Sequence, residues 1–229
     1  MIKETTKTIS KIYLGSEEIS KVYFEDKKIY DNSISFLPYD AEVEYIQSSG
    51  TQYINTQIPV SDIRRYVTYM QINSSSSAQA EGSTHSQRYC FVGANASNKF
   101  YSGMGSATKA SSIVNNQDFH TFELNMTTGE YLIDSVARST YNVSSITSAI
   151  KFTLMGCNGK NGLEGNVAYY VTCKKGKTKI YGENDVLLRD YIPVRKNGVG
   201  YFYDKVSGQL FGNDGTSTFT YGNDVISGI

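Results

Sequence analysis

Apolar and polar residues alternate with a period of two along most of this chain, and no stretch sustains a helical period. That pattern predicts strands at 42–47, 51–58, 63–73, 87–93, 98–104, 119–126, 130–137, 150–156, 166–174, 177–182, 185–192, 199–204 and 209–211. Clusters such as "SSG", "NASN", "TTG", "KNG" and "NDG" separate them and supply turn chemistry. Many short strands at this spacing predict an all-β chain, a two-sheet antiparallel jelly-roll sandwich over residues 38–229. The Ser-rich stretch 73–86 is expected to be a long mobile loop, and 105–117 a second loop or one short helical turn. "KKGKTK" at 174–179 is expected to be a solvated hairpin tip.

The first 32 residues form a separate unit. "ISKIYLGSEE" at 9–18 repeats as "ISKVYFEDKK" at 19–28, with Ile9, Lys11, Ile12 and Tyr13 matching Ile19, Lys21, Val22 and Tyr23. Each copy reads as a strand and a polar turn, so residues 1–32 are expected to be a three-stranded β-meander. So few residues bury too little surface to stand alone, and the edges need a partner. This unit is expected to anchor or assemble the protein. "DNSISFLPYD" at 31–40 reads as the boundary.

The hairpin from Phe119 to Tyr141 has the clearest alternation. His120, Phe122, Leu124 and Met126 share one face, and the expected core set is Phe122, Leu124, Leu132 and Val136.

Charge excludes one class of function. Lys plus Arg and Asp plus Glu are equal at 22 each, so no positive field favours nucleic acid. The start, "MIKETTKTISKIYLG", lacks an apolar run of signal-peptide length, and no stretch matches a membrane span. The chain is therefore expected to be made in the cytoplasm. Cys90, Cys157 and Cys173 are an odd set that fits no disulfide framework or zinc spacing, and Cys90 and Cys173 read as inert packing residues.

A search for catalysis gives no site. Glu42 with Glu44, and Glu183 with Asp185, each lack the third carboxylate that β-glucanases carry on one strand face, so both pairs read as surface charge. His85 sits in the Ser-rich loop and His120 reads as a packing residue, neither with a nucleophile at motif spacing. No enzyme activity, cofactor or metal is expected, although Asp118, Asp134 and Asp185 have the chemistry to contribute to a calcium site. Sugar recognition needs aromatic faces with amides beside them. With no Trp, Tyr must supply the face. The loop residues with that mixture are Tyr89, Asn95, Asn98, Tyr101, Asn158 and Asn161, the candidate glycan site.

Two resemblances sharpen the reading. Phe119-His120 and Ile133-Asp134, flanking the Gly129 turn, resemble the concanavalin A-like lectin/glucanase superfamily in its laminin-G-like form. Ser135 stands where that family usually has Gly, so the second turn is expected to differ. The blocks "LPYDAEVEYIQSSGTQYINTQI" and "RDYIPVRKNGVGYFYDKVSGQLFGNDGTSTFTYG" resemble the opening and closing segments of phage and prophage proteins with such a domain. That resemblance implies a virion structural or adhesion protein: a fibre, a decoration protein or a receptor-binding module. It further implies virion partners through residues 1–32, a homo-oligomer, and host-surface polysaccharide as a ligand. A free bacterial carbohydrate-binding module is the alternative, with a glycoside hydrolase behind it.

Overall fold

The computed structural model describes residues 12–14, 17–19, 21–24, 27–31, 37–73, 78–83, 89–143, 148–159, 163, 165–168 and 170–225. The chain divides into two units, Met1–Leu37 and Pro38–Ile229.

In the first unit, four short strands are described where the repeat predicts three. β1 (Ile12–Leu14) pairs antiparallel with β2 (Glu17–Ile19), and β3 (Lys21–Phe24) with β4 (Lys27–Asp31). The described strands therefore pair as two hairpins and not as a three-stranded meander.

The second unit is an all-β sandwich of two sheets, with no α-helix among the described residues. Its strands are β5 (Ala41–Glu42), β6 (Ile46–Ser49), β7 (Ile54–Pro59), β8 (Arg65–Ile72), β9 (Ala78–Ser83), β10 (Tyr89–Ala94), β11 (Lys99–Gly105), β12 (Ala107–Val114), β13 (Phe119–Asn125), β14 (Glu130–Ile133) and β15 (Val136–Thr140). Then follow β16 (Lys151–Leu154), β17 (Cys157–Asn158), β18 (Thr172–Tyr181), β19 (Leu187–Lys196), β20 (Val199–Asp204), β21 (Gln209–Phe211) and β22 (Thr220–Tyr221). The smaller sheet runs β12-β11-β10-β9-β16-β7, with β17 beside β9. The larger runs β15-β14-β13-β8-β18-β19-β20-β21, with β5, β6 and β22 joined to it. All pairing is antiparallel except β17 on β9. Between the sheets lies one core that includes Ile46, Tyr66, Met70, Cys90, Val92, Phe100, Phe122, Leu124, Tyr131, Ile133, Phe152 and Phe202.

β8 shows how alternation builds a layer. Tyr66, Thr68, Met70 and Ile72 are buried, while Arg65, Val67, Tyr69 and Gln71 face outward.

Four local expectations are corrected. Inside the Ser-rich stretch, Ala78–Ser83 is a strand in the middle of the smaller sheet. Its small residues suit it to that place. A Cβ on Gly82, at φ +125, would meet the Cys90 carbonyl oxygen at 2.0 Å, so only Gly lets β9 and β10 lie side by side. The stretch 105–117 contains the edge strand β12. "KKGKTK" is no hairpin tip, because β18 continues unbroken through it. A bulge between Lys175 and Thr178 absorbs Gly176 without reversing the chain.

The fourth correction concerns the hairpin face. Phe122 and Leu124 are buried, but Leu132 is half-buried and Val136 exposed. The turn Met126–Gly129 sets Leu124 opposite Tyr131 and Phe122 opposite Ile133. Directly opposed residues share a face, so Tyr131 and Ile133 enter the core. The strand also ends earlier than its alternation implies. Asp134 and Ser135, at φ +51 and +65, form a two-residue turn, and β15 begins at Val136.

Candidate functional site

The outward face of the larger sheet carries an aromatic cluster beside a pocket. Tyr69 on β8 is 44% exposed. Its ring stacks on Phe119 of β13, with centroids 4.9 Å apart and planes at 23°. Tyr45 also packs on Phe119, tilted, with centroids 5.8 Å apart, and Lys174 Nζ lies 4.9 Å from the Tyr45 ring centre. Two glycines make room for these rings. A Cβ on Gly176 would lie 2.8 Å from Tyr69 Cδ1, and one on Gly222 would lie 2.7 Å from Tyr45 Cε1. The Gly that reads as a turn signal at 176 thus seats a tyrosine against the strand.

Beside Tyr69 lies a pocket of about 270 Å³, lined by Glu42, Val43, Glu44, Tyr69, Lys177, Pro193 and Val225. Val43 and Pro193 are buried and give it an apolar floor, while Glu44 and Lys177 are exposed at its rim. Glu44 Oε2 accepts hydrogen bonds from the backbone and side-chain nitrogens of Asn223, at 3.3 and 3.2 Å. Glu42 accepts one from Tyr39 at 3.4 Å. Burial, then the Glu42 charge, pushes the Tyr39 phenol up to about 12. The arrangement is one exposed aromatic face with anionic acceptors and a cationic donor around a shallow apolar floor.

A larger cleft, about 490 Å³, lies where the β13–β14 and β18–β19 turns meet the entry to β8. Its lining side chains are polar or charged, among them Arg64, Arg65, Asn125, Thr127, Glu183 and Asp185. Most of its groups hold one another. Arg65 bonds Asp185 at 3.1 Å and lies 3.8 Å over the Tyr181 ring. Arg64 donates to the Ser61 and Ile63 carbonyls, and Asn125 Oδ1 caps the Thr127 and Thr128 N–H groups. With no aromatic side chain in its lining and Arg65 already bound to Asp185, it is the weaker candidate.

Of the six residues singled out from sequence, the five that are described do not all meet at one place. Asn95 and Asn98 shape the β10–β11 turn. Asn95 Oδ1 accepts from the Ser97 and Lys99 N–H groups, and Asn98 Nδ2 donates to the Asn115 carbonyl. Tyr89 is at the other end of β10, paired with Gly105, six residues and about 20 Å of strand from Asn95. Tyr101 is half-buried on β11 with its ring edge to Phe91 at 5.0 Å. Asn158 is buried, donating to the Lys151 carbonyl and accepting from the Gly159 and Gly165 N–H groups. Asn161 lies outside the described residues, as does His85.

His120 bridges Asp134 Oδ2 at 2.6 Å and Asn116 Oδ1 at 2.8 Å while packing on Phe100 and Phe122. Asp118 accepts from Asn116 Nδ2 at 2.7 Å, and Asp185 is held by Arg65. Among the described residues, no group of three or more His, Cys, Asp or Glu gathers as a metal site. All three cysteines are buried free thiols, and burial drives each thiol pKa upward.

Sequence reasoning passed over Tyr45, Tyr69 and Phe119. A signal was there for Tyr69, which shares the parity of Arg65 and Gln71 in "RYVTYMQI" and so had to face outward. Nothing local linked it to Tyr45 or to the Glu42–Glu44 segment.

No protein-family model matches this chain, and no curated protein matches it. Among solved structures it is similar to a protein from Bacteroides ovatus ATCC 8483 provisionally assigned to carbohydrate binding. The TM-score is 0.51 at 10% identity, over 80% of this chain and 62% of that one. The chain therefore spans less than two thirds of that protein's length. At this identity the likeness establishes the shared two-sheet fold.

Proposed function

We propose that this protein is a non-catalytic carbohydrate-binding protein that grips a glycan on the face formed by Tyr69, Tyr45 and Phe119. The observation that carries the reading is the exposed Tyr69 ring at the mouth of a pocket rimmed by Glu42, Glu44 and Lys177. A tyrosine face stacks on the C–H face of a pyranose ring. Carboxylates accept, and an ammonium donates, the hydrogen bonds that sugar hydroxyls offer. The described carbohydrate-binding assignment of the Bacteroides ovatus protein supports the same class. The absence of a third carboxylate beside Glu42 and Glu44 in sequence favours binding over hydrolysis.

The finer reading places this face on a bacteriophage particle, presenting it to host-surface polysaccharide, with residues 1–32 as the attachment to other virion proteins. Its support is the resemblance of segments 37–58 and 189–222 to phage proteins. Those segments also supply Glu42, Val43, Glu44 and Pro193 to the pocket.

Affinity electrophoresis through gels containing bacterial and plant polysaccharides tests the site. At least one polysaccharide should retard the protein, and Tyr69→Ala should weaken that retardation at least about tenfold. Tyr170→Ala, at an exposed tyrosine outside the pocket, should leave it unchanged. Retardation that survives Tyr69→Ala but is lost in Tyr101→Ala would move the site to the smaller sheet. For the finer reading, antibody to the chain should label particles purified from an induced culture of the encoding strain. Particles free of label would overturn it.

A further inference from the structure

Two charged side chains meet inside the sandwich. Glu81 comes from β9 of the smaller sheet and Lys175 from β18 of the larger, and both are fully buried. Lys175 Nζ is 2.5 Å from Glu81 Oε2. The carboxyl group is also held by a backbone hydrogen bond from Met155. The aligned bond from the amine goes to Thr68 Oγ1, which also contacts Thr178 Oγ1 at 3.0 Å. The nitrogen is thus held against the carboxyl group, with Thr68 on its other contact.

We propose that Lys175 and Glu81 join as an internal amide, a crosslink between the two sheets of the sandwich. Burial favours the forms that react. Burial pushes the Glu81 carboxyl pKa up and the Lys175 amine pKa down, each opposed by the partner's charge. A neutral acid and a neutral amine are what amide formation consumes. Packing from Met70 and Ile46, which pair with Lys175, and from the Tyr66 ring at 5.8 Å keeps water out and the pair in place. Such confinement replaces an encounter between two solutes with a step inside one fixed geometry.

The step balances without a co-reactant. The Nζ lone pair adds to Glu81 Cδ, forming the N–C bond. One amine proton passes from Nζ to the departing oxygen, 2.5 Å away, while Thr68 Oγ1 holds the amine. The Cδ–O bond breaks, and one water molecule leaves. No atom changes oxidation state. The product is uncharged, which removes the cost of keeping two ions in a dry core. It also ties β9 to β18 covalently.

Intact-mass spectrometry of the denatured full-length chain decides the matter. The wild type should be lighter than its sequence mass by one water molecule. Proteolysis should then yield a branched peptide joining the fragment that contains Glu81 to the fragment that contains Lys175. Lys175→Met and Glu81→Leu should each run at full sequence mass. A wild type at full sequence mass would overturn the proposal, as would a missing water mapped to any other residue. Because the deciding measurement is on the wild type, a variant that fails to fold leaves the test intact.

Discussion

Ile133 and Leu132 are neighbours on β14 that point to opposite faces, and replacing each with Ala tests the hairpin register. Ile133 is fully buried and sits opposite Phe122, which is also fully buried and packs edge-on against Phe100 at 5.0 Å. Removing its outer carbons leaves a cavity in a close-packed layer, at a cost of about 2–5 kcal/mol. The adjoining turn at Asp134 and the exposed Val136 allow some collapse, which puts the expected value near 3 kcal/mol. Leu132 is half-buried between Glu123 and Ala137, so its truncation forfeits only partial burial, about 1 kcal/mol or less. Urea unfolding followed by circular dichroism reads both as midpoint shifts at a common slope. In thermal melts of a domain this size the equivalent is a drop of about 6–12 °C for Ile133→Ala against at most about 4 °C for Leu132→Ala. The reverse order, or equal losses, would mean that the strand presents its other face to the core.

Two further outcomes are expected. Lys175→Met alone leaves the Glu81 carboxyl buried without its partner and should cost about 3–5 kcal/mol, while adding Glu81→Leu removes the unpaired acid and should recover only part of that loss, the link between the sheets staying absent; a single variant as stable as the wild type in urea would count against the buried pairing. Burial alone would raise the Asp134 pKa, but hydrogen bonds from His120 and the Thr121 N–H hold it below its ordinary value. A carboxylate depressed on folding stabilises the fold above its unfolded pKa, near 3.9, and that contribution is lost as pH falls through the folded pKa. Stability should therefore decline below about pH 4, by under about 1 kcal/mol because the group is half exposed. Asp134→Asn should flatten that limb in pH-dependent melts, and an equally steep limb in the variant would refute the assignment.

The sequence by itself determined the strand period, most turn positions, and the parity of long regular strands. Those properties are local. In "RYVTYMQI" each residue's face follows from its neighbours, and the Thr127-Thr128-Gly129 turn is set by residues within hydrogen-bond reach of one another. What failed was whatever depended on a partner distant in the chain. Leu132 and Tyr131 are equally plausible core residues until pairing with β13 sets the register. "SSSSAQAEGS" looks like a loop because it lacks large apolar residues. Its strand exists because β10 and β16 supply the ladder, and Gly82 admits them closely. "KKGKTK" looks solvated because Lys usually is, and only the Glu81 carboxylate arriving from the opposite sheet makes burial of Lys175 tolerable. The candidate site shows the same division. Its tyrosines, carboxylates and lysine are each visible in the sequence. Tertiary structure brought Glu42, Tyr69, Lys177 and Pro193 around one pocket, because ladder hydrogen bonds specify neighbours by register and not by chain separation.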